Sequence, residues 1–242
     1  MTLLLHTEVL GSGEPVVFLH TGLQTGLLDF EYQREYFQKN YQVILPDLRG
    51  HGKSMEDDIS NFFEDSAKDL LETLEHLGVE SAHIVGCSLG ALVGLYFAKM
   101  FPHNAKSLCV SGVLQEKPNN WLELHNENVE NQTQLLHHEE SVKYFDSIHM
   151  SDWKQFLYMG RNEEWYPFEE TKDLEGITCP VLYMVGEGNK DETKGAITYP
   201  LMKENVHVSI IPFAGHLIHS DQPEIYTKVL ELFLTKVDEP IS

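Results

Sequence analysis

The sequence predicts an α/β fold, a mostly parallel sheet covered by helices on both faces. Three observations carry that prediction. Short apolar runs of strand length alternate with longer segments whose leucines and aromatics recur three and four residues apart, as expected of parallel strands joined by crossover helices. At 242 residues and 42% hydrophobic side chains, the chain can bury one sizeable core. Finally, Gly86-Cys87-Ser88-Leu89-Gly90 sits between an apolar run ending in His83-Ile84-Val85 and a helical run from Ala91 to Met100, which puts a serine at a strand-to-helix junction.

The elements follow in order. Residues 3–9 and 15–20 are apolar runs joined by Gly11-Ser12-Gly13-Glu14-Pro15, and they read as an antiparallel hairpin at a sheet edge. A helical period over 30–39 leads to the short run 43–46. A second helix over 62–77 precedes the run 83–86, and a third over 89–100 follows the serine. After the strand 107–111 the alternation stops, and from Gly112 to Gly176 the segment is polar and aromatic, with Trp121, Trp153 and Trp165 among its residues. That is too long for a bare loop inside a compact domain, so a small helical cap is expected over about 113–176. Strand 180–185, helix 193–203, strand 207–211 and the amphipathic helix 223–236 resume the alternation. With no repeats, low-complexity tracts or linkers, residues 1–242 are expected to form one domain that carries this insertion.

Composition narrows the partners. Acidic residues outnumber basic ones 38 to 17, for a net charge of −21, which argues against nucleic acid or an anionic membrane as a partner and disfavours highly anionic substrates. A small molecule is the expected partner. The amino-terminal residues lack the basic start and apolar core of a signal peptide, and no segment has transmembrane length. Cys87, Cys109 and Cys179 are an odd number, lack metal-ligand spacing and sit in or beside apolar runs. Together these features lead us to expect reduced, buried thiols and a cytoplasmic location.

A serine hydroxyl becomes a useful nucleophile only with a strained backbone and a base beside it. A strand, a sharp turn and a helix supply such a backbone, and the helix that begins at Leu89 aims its free amides and positive dipole end at the same place. The short motifs then fall into a pattern: Phe-Leu-His-Thr-Gly at 18–22, Asp-Leu-Arg-Gly-His-Gly-Lys-Ser at 47–54, the 86–90 motif, and Gly215-His216. In this order and at these spacings the chain resembles the α/β-hydrolase superfamily, of the serine hydrolase or carboxylesterase-like kind, over almost its full length. The resemblance implies an eight-stranded-type sheet, a cap inserted after the sixth strand, and Ser88 as the nucleophile.

Histidine is the side chain whose unperturbed pKa suits a general base. His216 follows the apolar run 208–213 and a glycine turn, precedes the last helix, and comes after the serine as the family's chain order requires. It is the expected base. His219 is the nearest competitor and reads as a solvated or helix-start residue, while His51 reads as structural. The family places its acid three residues beyond the glycine that ends the strand at 180–186, and that position holds Asn189. Replacing aspartate by asparagine costs serine chemistry about 10⁴ in turnover, so a lengthened loop with Asp191 as the acid is expected, with Asn189 or a nearby glutamate as alternatives. Asp191 could also simply cap the helix that follows.

For the oxyanion the resemblance implies two backbone amides, Leu89 and one from His20-Thr21-Gly22-Leu23, where the family commonly has His-Gly. Gly22 is the expected donor and Leu23 the alternative. The aromatic and methionine residues of the cap would give a largely apolar pocket. The expected function is therefore hydrolysis of small, uncharged carboxylic esters through an acyl-enzyme, with no metal or other cofactor. Acyl transfer, carbon-carbon bond hydrolysis or perhydrolysis on the same fold are alternatives, and so is a non-catalytic ligand-binding scaffold.

Overall fold

The computed structural model describes residues 2–239. Seven strands form one sheet: β1 (Thr7–Gly11), β2 (Glu14–Leu19), β3 (Tyr41–Pro46), β4 (Ala82–Cys87), β5 (Ala105–Ser111), β6 (Val181–Gly186) and β7 (Val206–Ile211). Their order is β1-β3-β2-β4-β5-β6-β7, antiparallel only between β1 and β3. Among the described residues the sheet thus has seven strands rather than eight.

The expected hairpin does not form. β1 pairs with β3, with Gly11 opposite Gln42, so β3 lies between β1 and β2. The cause lies in the intervening turn. Gly11 has φ 72°, and a Cβ there would come within 2.2 Å of the Gln38 carbonyl oxygen. The turn therefore packs on the backbone leading into β3 instead of folding β1 onto β2. The first strand also starts later than expected, because the residues before it lie against a helix: Leu3 N donates to Asp69 Oδ1 (2.7 Å) and Leu5 N to Thr73 Oγ1 (3.0 Å).

Helices α1 (Glu31–Phe37), α2 (Phe62–His76) and α3 (Leu89–Met100) alternate with the first five strands. Between β5 and β6 come α4 (Trp121–His137), α5 (Glu139–Ile148), α6 (Lys154–Gly160) and α7 (Phe168–Thr171), within the segment where the sequence pattern breaks off. On a seven-stranded sheet this insertion follows the fifth strand, not the sixth. The chain closes with α8 (Lys190–Thr193), α9 (Gly195–Met202), α10 (Ile218–Asp221) and α11 (Pro223–Asp238).

Every residue of β4 and β6 is buried, as strands covered on both faces must be. One apolar cluster joins the sheet to α2 and α3 through Leu70, Leu74, Leu92 and Leu95. The other joins it to α1 and α11 through Phe37, Tyr226, Leu230 and Leu234. Cys87, Cys109 and Cys179 are buried free thiols, and burial raises the pKa of each. No helix among the described residues is long and apolar enough to cross a membrane.

Candidate active site

Ser88 stands between β4 and α3 with φ 53° and ψ −119°, a strained conformation for a non-glycine residue. The flanking glycines are dictated by space. A Cβ on Gly86 would lie 2.5 Å from the Gly90 carbonyl oxygen, and one on Gly90 would lie 2.1 Å from that of Leu19. The turn is therefore pressed so tightly between β2 and its own helix that positions 86 and 90 have no room for a Cβ, while Cys87 and Leu89 bury their side chains on either side of Ser88.

His216, on the loop between β7 and α10, brings Nε2 to 2.9 Å from Ser88 Oγ. Its Nδ1 lies 2.5 Å from Glu192 Oε1. The expected acid, Asp191, is elsewhere: it forms an ion pair with Lys194 (3.1 Å), while the carboxylate on the imidazole belongs to the next residue. The local helix explains the difference. Asn189 caps α8, its side chain accepting from Glu192 N, so the helix begins at Lys190 and residues 191 and 192 project about 100° apart. The capping role offered for Asp191 thus falls to Asn189. Asn189 Nδ2 also donates to Glu192 Oε1 at 2.6 Å, so the amide holds the carboxylate rather than the histidine.

Glu192 is buried, and its Oε2 has no hydrogen-bond partner among the described residues. Its carbonyl oxygen lies 2.7 Å from the Tyr183 hydroxyl, which anchors α8 to β6. Burial alone would lower the pKa of His216, but the hydrogen bond and charge of Glu192, with a smaller contribution from Asp221, outweigh it, and the net shift is upward. Sequence reasoning missed Gly112 as well. Its φ is 66°, and a Cβ there would come within 2.9 Å of His216 Cε1, so only glycine lets the ring reach the serine.

The loop after β2 is held by a set of buried histidines. His20 pairs through Nδ1 with the Thr21 carbonyl (2.8 Å) and accepts Leu48 N at Nε2 (2.9 Å). His51 accepts Leu23 N at Nε2 (3.3 Å), and His149 donates from Nε2 to the Leu23 carbonyl (3.0 Å) while accepting Gly52 N at Nδ1 (2.8 Å). Burial lowers the pKa of all three, keeping them neutral, so each ring can accept one bond and donate another. Of the three amides that follow His20, Thr21 N donates to Asp29 and Leu23 N to His51, which leaves the Gly22 N–H without a partner among the described residues. Leu89, as the first residue of α3, likewise has no intrahelical acceptor.

His219 is not solvated. It is buried, stacks on Phe30 (4.2 Å between centroids) and sets Nε2 2.8 Å from Asp29 Oδ1. Asp29 Oδ2 in turn accepts Thr21 N at 2.8 Å. The loop carrying His216 and the loop carrying Gly22 are thereby tied together.

Ser88 and His216 open onto a cavity of about 750 Å³. Its walls include the apolar Leu92, Leu114, Trp121, Leu124 and Leu157, together with Asn189 and three carboxamides of α4, Asn128, Asn131 and Gln132, which sequence reasoning did not single out.

Residues 14–139 match the family described as alpha/beta hydrolase fold. The chain belongs to this family. It is an α/β-hydrolase enzyme. A bifunctional esterase/perhydrolase of Acinetobacter calcoaceticus is 25% identical over 253 residues, covering 91% of each chain. Other matches are partial: a 3-oxoadipate enol-lactonase of Acinetobacter baylyi is 32% identical over 97 residues, 40% of this chain and 36% of that protein. Among solved structures, NosK from Streptomyces actuosus superposes with a TM-score of 0.82 at 23% identity, over 94% of this chain and 100% of that one, a likeness of fold alone.

Proposed function

We propose that this α/β hydrolase is a serine esterase that cleaves small, uncharged carboxylic esters through an acyl-enzyme. The observation that carries this reading is the continuous chain Ser88 Oγ, His216 Nε2, His216 Nδ1, Glu192 Oε1, with links of 2.9 and 2.5 Å and its serine end in the cavity. In this mechanism His216 takes the Ser88 proton as Oγ attacks the ester carbonyl. The N–H groups of Leu89 and Gly22 stabilise the oxyanion, and the imidazolium then protonates the leaving alcohol. A water molecule repeats the cycle on the acyl-enzyme. Glu192, in place of Asp191, fixes the imidazole tautomer and stabilises its cationic form.

Carboxylates on the cavity wall and the net charge of −21 favour an uncharged substrate over an anionic one. The full-length relative named as an esterase and perhydrolase supports ester chemistry. It also favours a second reading, in which hydrogen peroxide rather than water takes the acyl group from Ser88. Both readings require a nucleophilic Ser88. A fluorophosphonate probe should add one adduct to the intact mass of the wild-type protein and none to Ser88→Ala; equal labelling of the two would sink both readings.

A further inference from the structure

One wall of the cavity has chemistry that the proposed mechanism leaves idle. Helix α4 faces the cavity with residues 124, 128, 131, 132 and 135, a three-and-four spacing that sets them on one helical face. Two are leucines, and the other three are Asn128, Asn131 and Gln132. A side-chain amide kept from water is costly unless it has partners. Gln132 Oε1 is buried and has none among the described residues.

The surroundings hold this carboxamide in place. The first half of α4 is fixed to the rest of the insertion, since Trp121 Nε1 donates to the Glu163 carbonyl (3.1 Å) and His125 Nε2 pairs with that of Gly160 (3.0 Å). Gly160 faces Gln132, and a Cβ there would come within 2.9 Å of Gln132 Nε2, so the missing side chain makes room for the amide. Arg161 does not supply the missing partner: its Nη2 donates to Thr133 Oγ1 (3.2 Å), its guanidinium lies over the Tyr158 ring, and its buried Nε makes no hydrogen bond to Gln132 or to any other described residue.

We propose that this row is a hydrogen-bonding subsite centred on Gln132, and that the preferred substrate is a carboxylic ester whose acyl chain carries an uncharged amide. The amide N–H would be accepted by Gln132 Oε1, and Leu124 and Leu135 would cover the alkyl stretch between amide and ester. An anionic group in its place would share the cavity with Asp191 and Glu192. The inference rests on the reading of Ser88 as the nucleophile facing this cavity.

Two esters of equal chain length test it, p-nitrophenyl 4-acetamidobutanoate and p-nitrophenyl heptanoate, with binding read by calorimetry on Ser88→Ala protein. The amide ester should bind about tenfold tighter or more, the discrimination expected when a buried polar group gains or lacks its partner. Adding Gln132→Leu should bring the ratio to about one. Gly160→Ala, which only pushes the carboxamide aside, should lower it in part, and melting curves report whether each variant is folded. Equal binding of the two esters, or a preference that survives Gln132→Leu in folded protein, would overturn the subsite. Since binding is read without turnover, failure of the nucleophile reading appears separately, as equal ester hydrolysis by wild type and Ser88→Ala.

Discussion

Glu192 and Asp191 are adjacent carboxylates with opposite surroundings, one buried on His216 and the other half-exposed beside Lys194. The proposed mechanism therefore assigns them unequal effects. Glu192→Gln should lower kcat on a nitrophenyl ester by about 10⁴, the scale seen when a triad carboxylate becomes an amide, whereas Asp191→Asn should change it by less than about threefold. The pH profile gives a second readout. Burial lowers the pKa of His216 and Glu192 more than restores it, so the net value lies above 6.5. The base must be neutral to accept the serine proton, so kcat/KM should fall as pH drops through that raised value, and in Glu192→Gln this acid limb should move to lower pH. Asp191→Asn losing as much activity as Glu192→Gln would contradict the assignment. At this scale the sequence led to Ser88 and His216 because strand, turn and glycine patterns mark both positions. It led to Asp191 because counting from Gly186 ignores where the next helix starts. The signal was nonetheless present: Asn189 followed three residues later by Glu192 is the spacing of a capping box, which starts the helix at residue 190 and places Glu192 in its first turn.

Between elements, the loops that carry the proposed chemistry are joined by polar groups far from the serine in sequence. Asp29, at the end of the loop after β2, binds Thr21 N with one oxygen and His219 with the other. Burial works to raise the Asp29 pKa, but the His219 hydrogen bond and charge, helped by the Thr21 amide, prevail and lower it from 3.8 to about 2. A depressed carboxylate stabilises the fold above its unfolded-state pKa, and that stability disappears as pH falls through the folded-state value. Wild-type melting temperature should therefore drop between about pH 4 and pH 2, and the drop should be smaller in Asp29→Asn, which is less stable at neutral pH. An identical fall in the variant would show that the pair does not carry this stability. The helices α1, α2, α3, α9 and α11 and the central strands of this frame were legible in periodicity, whereas the one-turn helices α8 and α10 are too short to show a period. The pairing of β1 was not, because it depends on how a glycine turn packs against Gln38, a contact between elements that no local pattern reveals. The buried end of Gln132 was hidden for a related reason, since a glutamine on a helix reads as solvent-facing, as its exposed neighbours Asn128 and Asn131 are, until the cavity beside it is known.

Across the whole molecule, a seven-stranded sheet with apolar clusters on both faces brings together residues 22, 88, 192 and 216, which the chain supplies from four separate connections. The alternation of strands and helices announced that sheet, and the break in alternation coincides with the four helices between β5 and β6. The distances across the site came only with the fold. The central claim is that this convergence makes Ser88 a nucleophile that carries the acyl group. Rapid mixing with p-nitrophenyl acetate, followed by acid quench and peptide mass analysis, tests it most directly. The account predicts a burst of nitrophenolate approaching one equivalent per chain when deacylation is the slower step, and in any case an acetyl group on the peptide containing Ser88 that is absent from Ser88→Ala. Steady turnover with no acetylated Ser88, matched by Ser88→Ala, would contradict it.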